Sequence, residues 1–159
     1  MRVHVHTCGD LGNNVCALAR GLGFDVVSRS PWAEPPPWPV DLILCTDPGH
    51  ECMCSRALGA LSFHPALLPL YRSPNALGQA FSDGQLVTGG TLSWSVGQPW
   101  TGPIVAQEFC FIRADDTPAA LWARELAPMG LRLFDRALSE IRAGRVPRGV
   151  PQNEASARR

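Results

Sequence analysis

The sequence predicts an α/β domain: a doubly wound, mostly parallel sheet with an antiparallel pair of strands and a long C-terminal helix. Two observations carry this expectation. Over the first 60 residues, short β-branched or apolar runs alternate with helical spacing, the pattern of strand–helix–strand units in a parallel sheet. From Asp116 onward, apolar residues recur at the spacing of one long amphipathic helix.

Taken in order, Val3 to Thr7 alternates β-branched and polar residues and reads as a first strand. After Gly9 the chain turns into a helix carrying Val15, Leu18, Ala19 and Leu22 on one side, which Gly21 and Gly23 end. Phe24 to Ser28 is a second strand. Pro31 to Pro39 holds five prolines and two tryptophans, so a surface loop of polyproline character is expected. Leu42 to Cys45 is fully apolar, as a strand buried on both faces requires. Glu51 to Leu58 reads as a short helix, and Ala60 to Phe63 as a fourth strand ending at His64. Ligands on such sheets bind beyond the carboxyl ends of the strands, so position alone places His64 at a candidate site facing a cleft.

The pattern changes after Pro74. Asn75 to Ser82 reads as a helix ended by Asp83-Gly84, and Leu86 to Val96 and Ile104 to Ile112 as an antiparallel pair around the loop Gly97 to Pro103. Asp116-Thr117-Pro118 starts the last helix, with a capping side chain followed by proline in the first turn. That helix runs to about Arg142 on an apolar face of Leu121, Leu126, Met129, Leu133, Phe134, Leu138 and Ile141. The expected organisation is a domain over 1–145 and a polar, extended or frayed tail over 146–159.

Composition excludes several functions. The 14 basic and 14 acidic residues cancel, which removes the footprint of nucleic-acid or anionic-membrane binding. Every basic residue is Arg, so Schiff-base and lysine-base chemistry is excluded. The N-terminus has no leader pattern and no segment reaches the ~18 apolar residues of a membrane span. The six cysteines are therefore expected as reduced thiols of a cytoplasmic protein, with Cys8, Cys16, Cys45 and Cys110 as small core residues. The run Cys45, His50, Cys52, Cys54 matches no common zinc spacing, so no metal is expected. Gly9 to Gly12 lacks the full dinucleotide fingerprint.

The most specific motif is Ser62-Phe63-His64-Pro65-Ala66-Leu67-Leu68-Pro69-Leu70-Tyr71-Arg72. It resembles the signature of the folate-dependent formyltransferases, Asn-x-His-Pro-Ser-Leu-Leu-Pro-x-Tyr-Arg-Gly. Further on, Thr101-Gly102-Pro103-Ile104-Val105-Ala106-Gln107 resembles the family's second block, Asp-x-Gly-x-Ile. The resemblance is best between Leu61 and Gly144, and implies a Rossmann-like domain of formyltransferase type. The first 60 residues match only in their alternation and are shorter than the family's usual amino-terminal half.

By that resemblance the family's catalytic Asn, His and Asp read here Ser62, His64 and Trp100, and a further family histidine reads Trp94. The resemblance implies His64 as the proton-handling or oxyanion-stabilising residue and Ser62 as a replacement donor. Trp100, Arg72, Asn75 and Trp94 are candidate contacts to substrate or cofactor. Asp83 and Glu108 are candidate substitutes from elsewhere in the chain for the missing carboxylate. The implied donor is 10-formyltetrahydrofolate, and the implied reaction is transfer of a formyl or related one-carbon acyl group to a small amine. Two alternatives stay open: a degenerate relative that binds a ligand or a partner protein, and altered chemistry such as hydrolysis or transfer of another acyl group. A small-molecule substrate is expected and neither nucleic acid nor membrane; oligomeric state is open, a homo-oligomer included.

Overall fold

The computed structural model describes residues 1–6, 9–29, 40–47 and 59–157. The expected proline-rich loop over 31–39, the expected helix over 51–58, and Cys8, His50, Cys52 and Cys54 lie outside the described residues.

Six strands form one sheet: β1 (Arg2–His6), β2 (Asp25–Arg29), β3 (Leu42–Cys45), β4 (Ala60–His64), β5 (Val87–Trp94) and β6 (Ile104–Phe111). Their spatial order is β2-β1-β3-β4-β5-β6. β1 is parallel to β2 and β3, and β3 to β4; β5 alone runs antiparallel to its neighbours β4 and β6. The mostly parallel sheet with an antiparallel pair is therefore present as expected.

The period of two along each strand separates two very different faces. Val3, Val5, Leu42, Leu44, Leu61 and Phe63 point to one face and join the apolar sides of the helices in a single core. On that face lie α1 (Gly9–Gly21), burying Leu11, Val15, Cys16 and Ala19, and the C-terminal helix. The other face carries Ile43, Cys45 and Ala60, clustered with Val40. Beside them is a row of buried polar side chains: His4, His6, Ser62, His64, Thr91 and Ser93. α2 (Ala76–Ser82) buries Ala76 and Ala80 against Ala66 and Tyr71, which packs the loop after β4.

The last helix forms where expected, capped by Thr117, whose hydroxyl accepts from Ala120 N at 3.1 Å. It is not uniform: α3 (Pro118–Leu121) passes through a π turn (Trp122–Leu126) into α4 (Ala127–Arg142). The reason is Pro128, which has no N–H to donate and crowds the carbonyl four residues back. The ladder shifts by one, and Ala127 N–H bonds Trp122 O. All seven apolar positions expected on this helix are buried.

One expectation needs correction. Cys16 and Cys110 are free, buried thiols whose pKa values burial pushes up, but Cys45 is disulfide-bonded and not a reduced thiol. The tail over 146–157 takes the extended one of the two expected forms. Val150 and Ile104 exchange two backbone bonds of 2.8 Å, and Trp94 Nε1 donates to Pro147 O at 3.0 Å. A short 3₁₀ turn (Glu154–Ser156) follows. The β6 edge thus has a partner for part of its length, which limits stray edge pairing.

Candidate active site

His64 ends β4, where Pro65 stops the strand and the chain turns toward α2. Its side chain is completely buried, at 0% exposure. It is not part of the lining of the cleft beside Leu133 and Arg136 or of the one beside Leu70 and Gln85. His64 Nε2 lies 2.8 Å from the carbonyl of Tyr71. A carbonyl only accepts, so Nε2 carries the hydrogen and Nδ1 presents a lone pair. Nδ1 is buried and has no hydrogen-bond partner. Burial pushes the pKa down from 6.5 to about 4, and the Tyr71 carbonyl offsets this only in part. At neutral pH the imidazole is uncharged.

The loop that receives this bond is held by Thr91, Gln107 and Asp83. Thr91, opposite His64 on β5, donates to Ala66 O at 2.7 Å and accepts from Leu68 N at 3.1 Å. Gln107 Nε2 adds bonds of 2.8 Å to Thr91 Oγ1 and Leu68 O. Tyr71 has φ 54, a left-handed conformation, and its hydroxyl donates to Asp83 at 2.8 Å.

Ser62 lies two residues back on the same face of β4, with its Oγ 2.7 Å from Ser95 Oγ. Two hydroxyls bring two hydrogens, and their mutual bond uses one. The pair keeps one donor for another group. The Trp100 ring sits 5.4 Å from the His64 ring, inclined by 36°. Trp100 also has positive φ, 58, which bulky residues adopt only when their surroundings enforce it. Gly102 is needed beside it, because a Cβ there would come 1.6 Å from Trp94 O.

The structure brings Ser62, His64 and Trp100 together. Arg72 turns away from them: it donates to Glu154 at 2.7 and 2.8 Å and to Gln152 Oε1 at 2.7 and 3.2 Å. Asn75 is exposed and makes no side-chain cap bond to α2. Trp94 pairs with Leu61 and belongs to the helix-covered core, opposite His64. Neither substitute carboxylate supports the histidine: Asp83 takes the Tyr71 hydroxyl, and Glu108 pairs with Arg132 at 2.6 Å. No cluster of His, Cys, Asp and Glu fit for a metal occurs among the described residues. No helix among them is long and apolar enough to cross a membrane. Sequence reasoning missed Tyr71, Ser95 and Gln152. Tyr71 acts through its backbone carbonyl, which no side-chain motif reveals, and Gln152 lies in a stretch that reads as solvated.

Residues 49–134, more than half of the chain, match the family described as formyl transferase. This chain belongs to the formyl transferase family. The chain is 39% identical over 123 residues to a methionyl-tRNA formyltransferase of Methylacidiphilum infernorum, an alignment covering 74% of this chain and 37% of that protein. It is 33% identical over 99 residues to a human mitochondrial 10-formyltetrahydrofolate dehydrogenase, covering 62% of this chain and 11% of that one. It therefore spans well under half the length of these relatives. In fold it resembles the formyltransferase PseJ from Anoxybacillus kamchatkensis, solved with a formamido UDP-sugar and tetrahydrofolate. That match has a TM-score of 0.77 at 18% identity, over 97% of this chain and 82% of the other. The Rossmann-like formyltransferase domain implied by the His64 motif is the fold observed.

Proposed function

We propose that this formyltransferase domain transfers a formyl group from 10-formyltetrahydrofolate to a small amine, with His64 as its acid–base group. The observation that carries the reading is the lone pair of His64 Nδ1, buried without a partner at the carboxyl end of β4. The residues fit such a donor in two respects: a flat aromatic face at Trp100 and a leftover hydroxyl hydrogen in the Ser62–Ser95 pair. Bound there, the folate would supply the formyl group. His64 Nδ1 would take the proton that the attacking amine loses and return it to the donor nitrogen as that nitrogen's bond to the formyl carbon breaks, while Nε2–H stays on the Tyr71 carbonyl and fixes the ring. The spare Ser62–Ser95 hydrogen stabilises negative charge on the formyl oxygen. Trp100 keeps water off the imidazole and must give way for the amine to reach Nδ1.

His64 is a weak base at neutral pH, with no carboxylate hydrogen-bonded to it to stabilise its protonated form. Slow turnover follows, since losing one such interaction typically lowers the rate about 100- to 1,000-fold. The test is formyl transfer to a panel of small amines at pH 7. The expected result is slow turnover that disappears in His64→Ala and rises about 100-fold in the double variant Ser62→Asn with Trp100→Asp. No turnover and no quenching of tryptophan fluorescence by tetrahydrofolate would refute the reading.

A second reading is favoured by Trp100 itself, which stands at the family's carboxylate position and covers the base. On that reading the chain binds a folate-like ligand without reacting. Saturable quenching by tetrahydrofolate with no turnover in either wild type or the double variant would select it.

A further inference from the structure

Three parts of the chain far apart in sequence meet at one side-chain amide, that of Gln152. Its Nε2 donates to Trp100 O at 2.9 Å and to Gly102 O at 2.7 Å. Its Oε1 accepts from Arg72 Nη2 at 2.7 Å and Arg72 Nε at 3.2 Å. The partners decide the orientation of the amide. A guanidinium only donates and a carbonyl only accepts, so the flipped amide would set N–H against N–H and oxygen against oxygen. All four hydrogen-bonding positions of the amide are filled.

These bonds act on the two supports of His64. Trp100 holds an unfavourable φ of 58, and its turn is wedged between the Trp94 carbonyl on one side and the Gln152 amide on the other. The ring this turn carries is the one stacked near His64. Arg72, gripped by the same amide, directly follows Tyr71, whose carbonyl fixes His64 Nε2.

We propose that Gln152 is a positioning residue of the site: it holds the 100–102 turn so that the Trp100 ring stays over His64 and shields it from water. The proposal rests on the reading of His64 as the site's base, and gives the C-terminal segment a role beyond closing the sheet edge. A purely structural role would be to pin the tail through Arg72, and one substitution separates the two. Gln152→Glu keeps oxygen acceptors for Arg72 but cannot donate to the two carbonyls. It should release the turn while leaving the tail attached. Gln152→Ala removes both connections.

The experiment is an NMR pH titration of the His64 ring in the full chain, with its signals assigned by their loss in His64→Gln. Wild type should titrate near pH 4. Both Gln152→Glu and Gln152→Ala should move the midpoint up by about 1 pH unit or more, as water reaches the ring. Trp100→Ala should do the same, and adding Gln152→Ala to it should move His64 no further, the non-additivity expected of residues acting through one contact. A wild-type midpoint in Gln152→Glu would overturn the proposal, because the Arg72 connection alone would then suffice. Full additivity of the two changes would overturn it as well. The titration needs no turnover. A chain that titrates as expected but transfers no formyl group would therefore refute the proposed activity and leave the role of Gln152 standing.

Discussion

Residues 63 and 64 are neighbours on β4, yet they belong to opposite kinds of surface. Phe63 enters the core between the sheet and the last helix, where a Cβ on either Gly90 or Gly130 would crowd its ring. His64 enters the polar face, where it has one hydrogen bond and one orphaned nitrogen. On the core face, stability comes from filled volume, and side chains of similar size could replace one another. On the polar face, each group depends on a particular partner, and removing water has raised the energy of a charge that the site would have to accept. The sheet therefore separates the residues that hold the fold together from those available for chemistry, at the scale of a single peptide unit.

The sharpest test of that separation is Phe63→Ala. It should destabilise the domain by about 3–5 kcal/mol, the usual loss for a large buried aromatic ring, measured by urea denaturation. A loss below about 1 kcal/mol would break the comparison.

The next effect concerns pH. In the folded chain His64 titrates at about 4 rather than 6.5, so between these values the unfolded chain binds the extra proton. Stability should be fully present above pH 6.5 and fall by about 3 kcal/mol as the pH drops through 4. The difference between wild type and His64→Gln isolates this from the carboxylates. If both variants lose stability in parallel over that range, His64 is not desolvated as described.

Thr91→Val should have the smallest effect, about 1–3 kcal/mol, because it preserves shape while leaving Leu68 N without its hydroxyl partner. Its larger consequence should be faster amide exchange over 66–68, since Thr91 joins β5 to the loop after His64.

The sheet was legible to within two residues at the strand ends because its strands carry strong local signals. Leu42 to Cys45 can only be a buried strand, and the Thr117-Pro118 start of the last helix is a local pattern with a local cause. The π turn was less legible. Pro128 was visible, but the remainder of the helical periodicity continues across it, and only the ladder shows where the extra residue is absorbed. At the site, the motif placed His64 and brought Ser62 and Trp100 to it. It did not reveal that Arg72, Asn75 and Trp94 lie apart from these three. A side-chain motif records which residue types recur in a family, not which of them face the same way. Trp94 lies on the wrong face by the parity of β5, and Arg72 finds acceptors 80 and 82 residues away that local sequence cannot reveal.

By itself, the amino-acid sequence determined the class of fold, the order of most elements, and the histidine around which a site could form. These follow from periodicity, capping and turn chemistry, all of which act over a few residues. The state of that histidine was decided only in three dimensions. Its tautomer depends on a carbonyl seven residues on. Its low proton affinity depends on burial, which is a property of the whole packed chain. The ring that covers it is held by Gln152, 52 residues further along the sequence. Hydrogen bonds and desolvation act through space at a few ångströms, so they become definite only once folding has made distant residues neighbours.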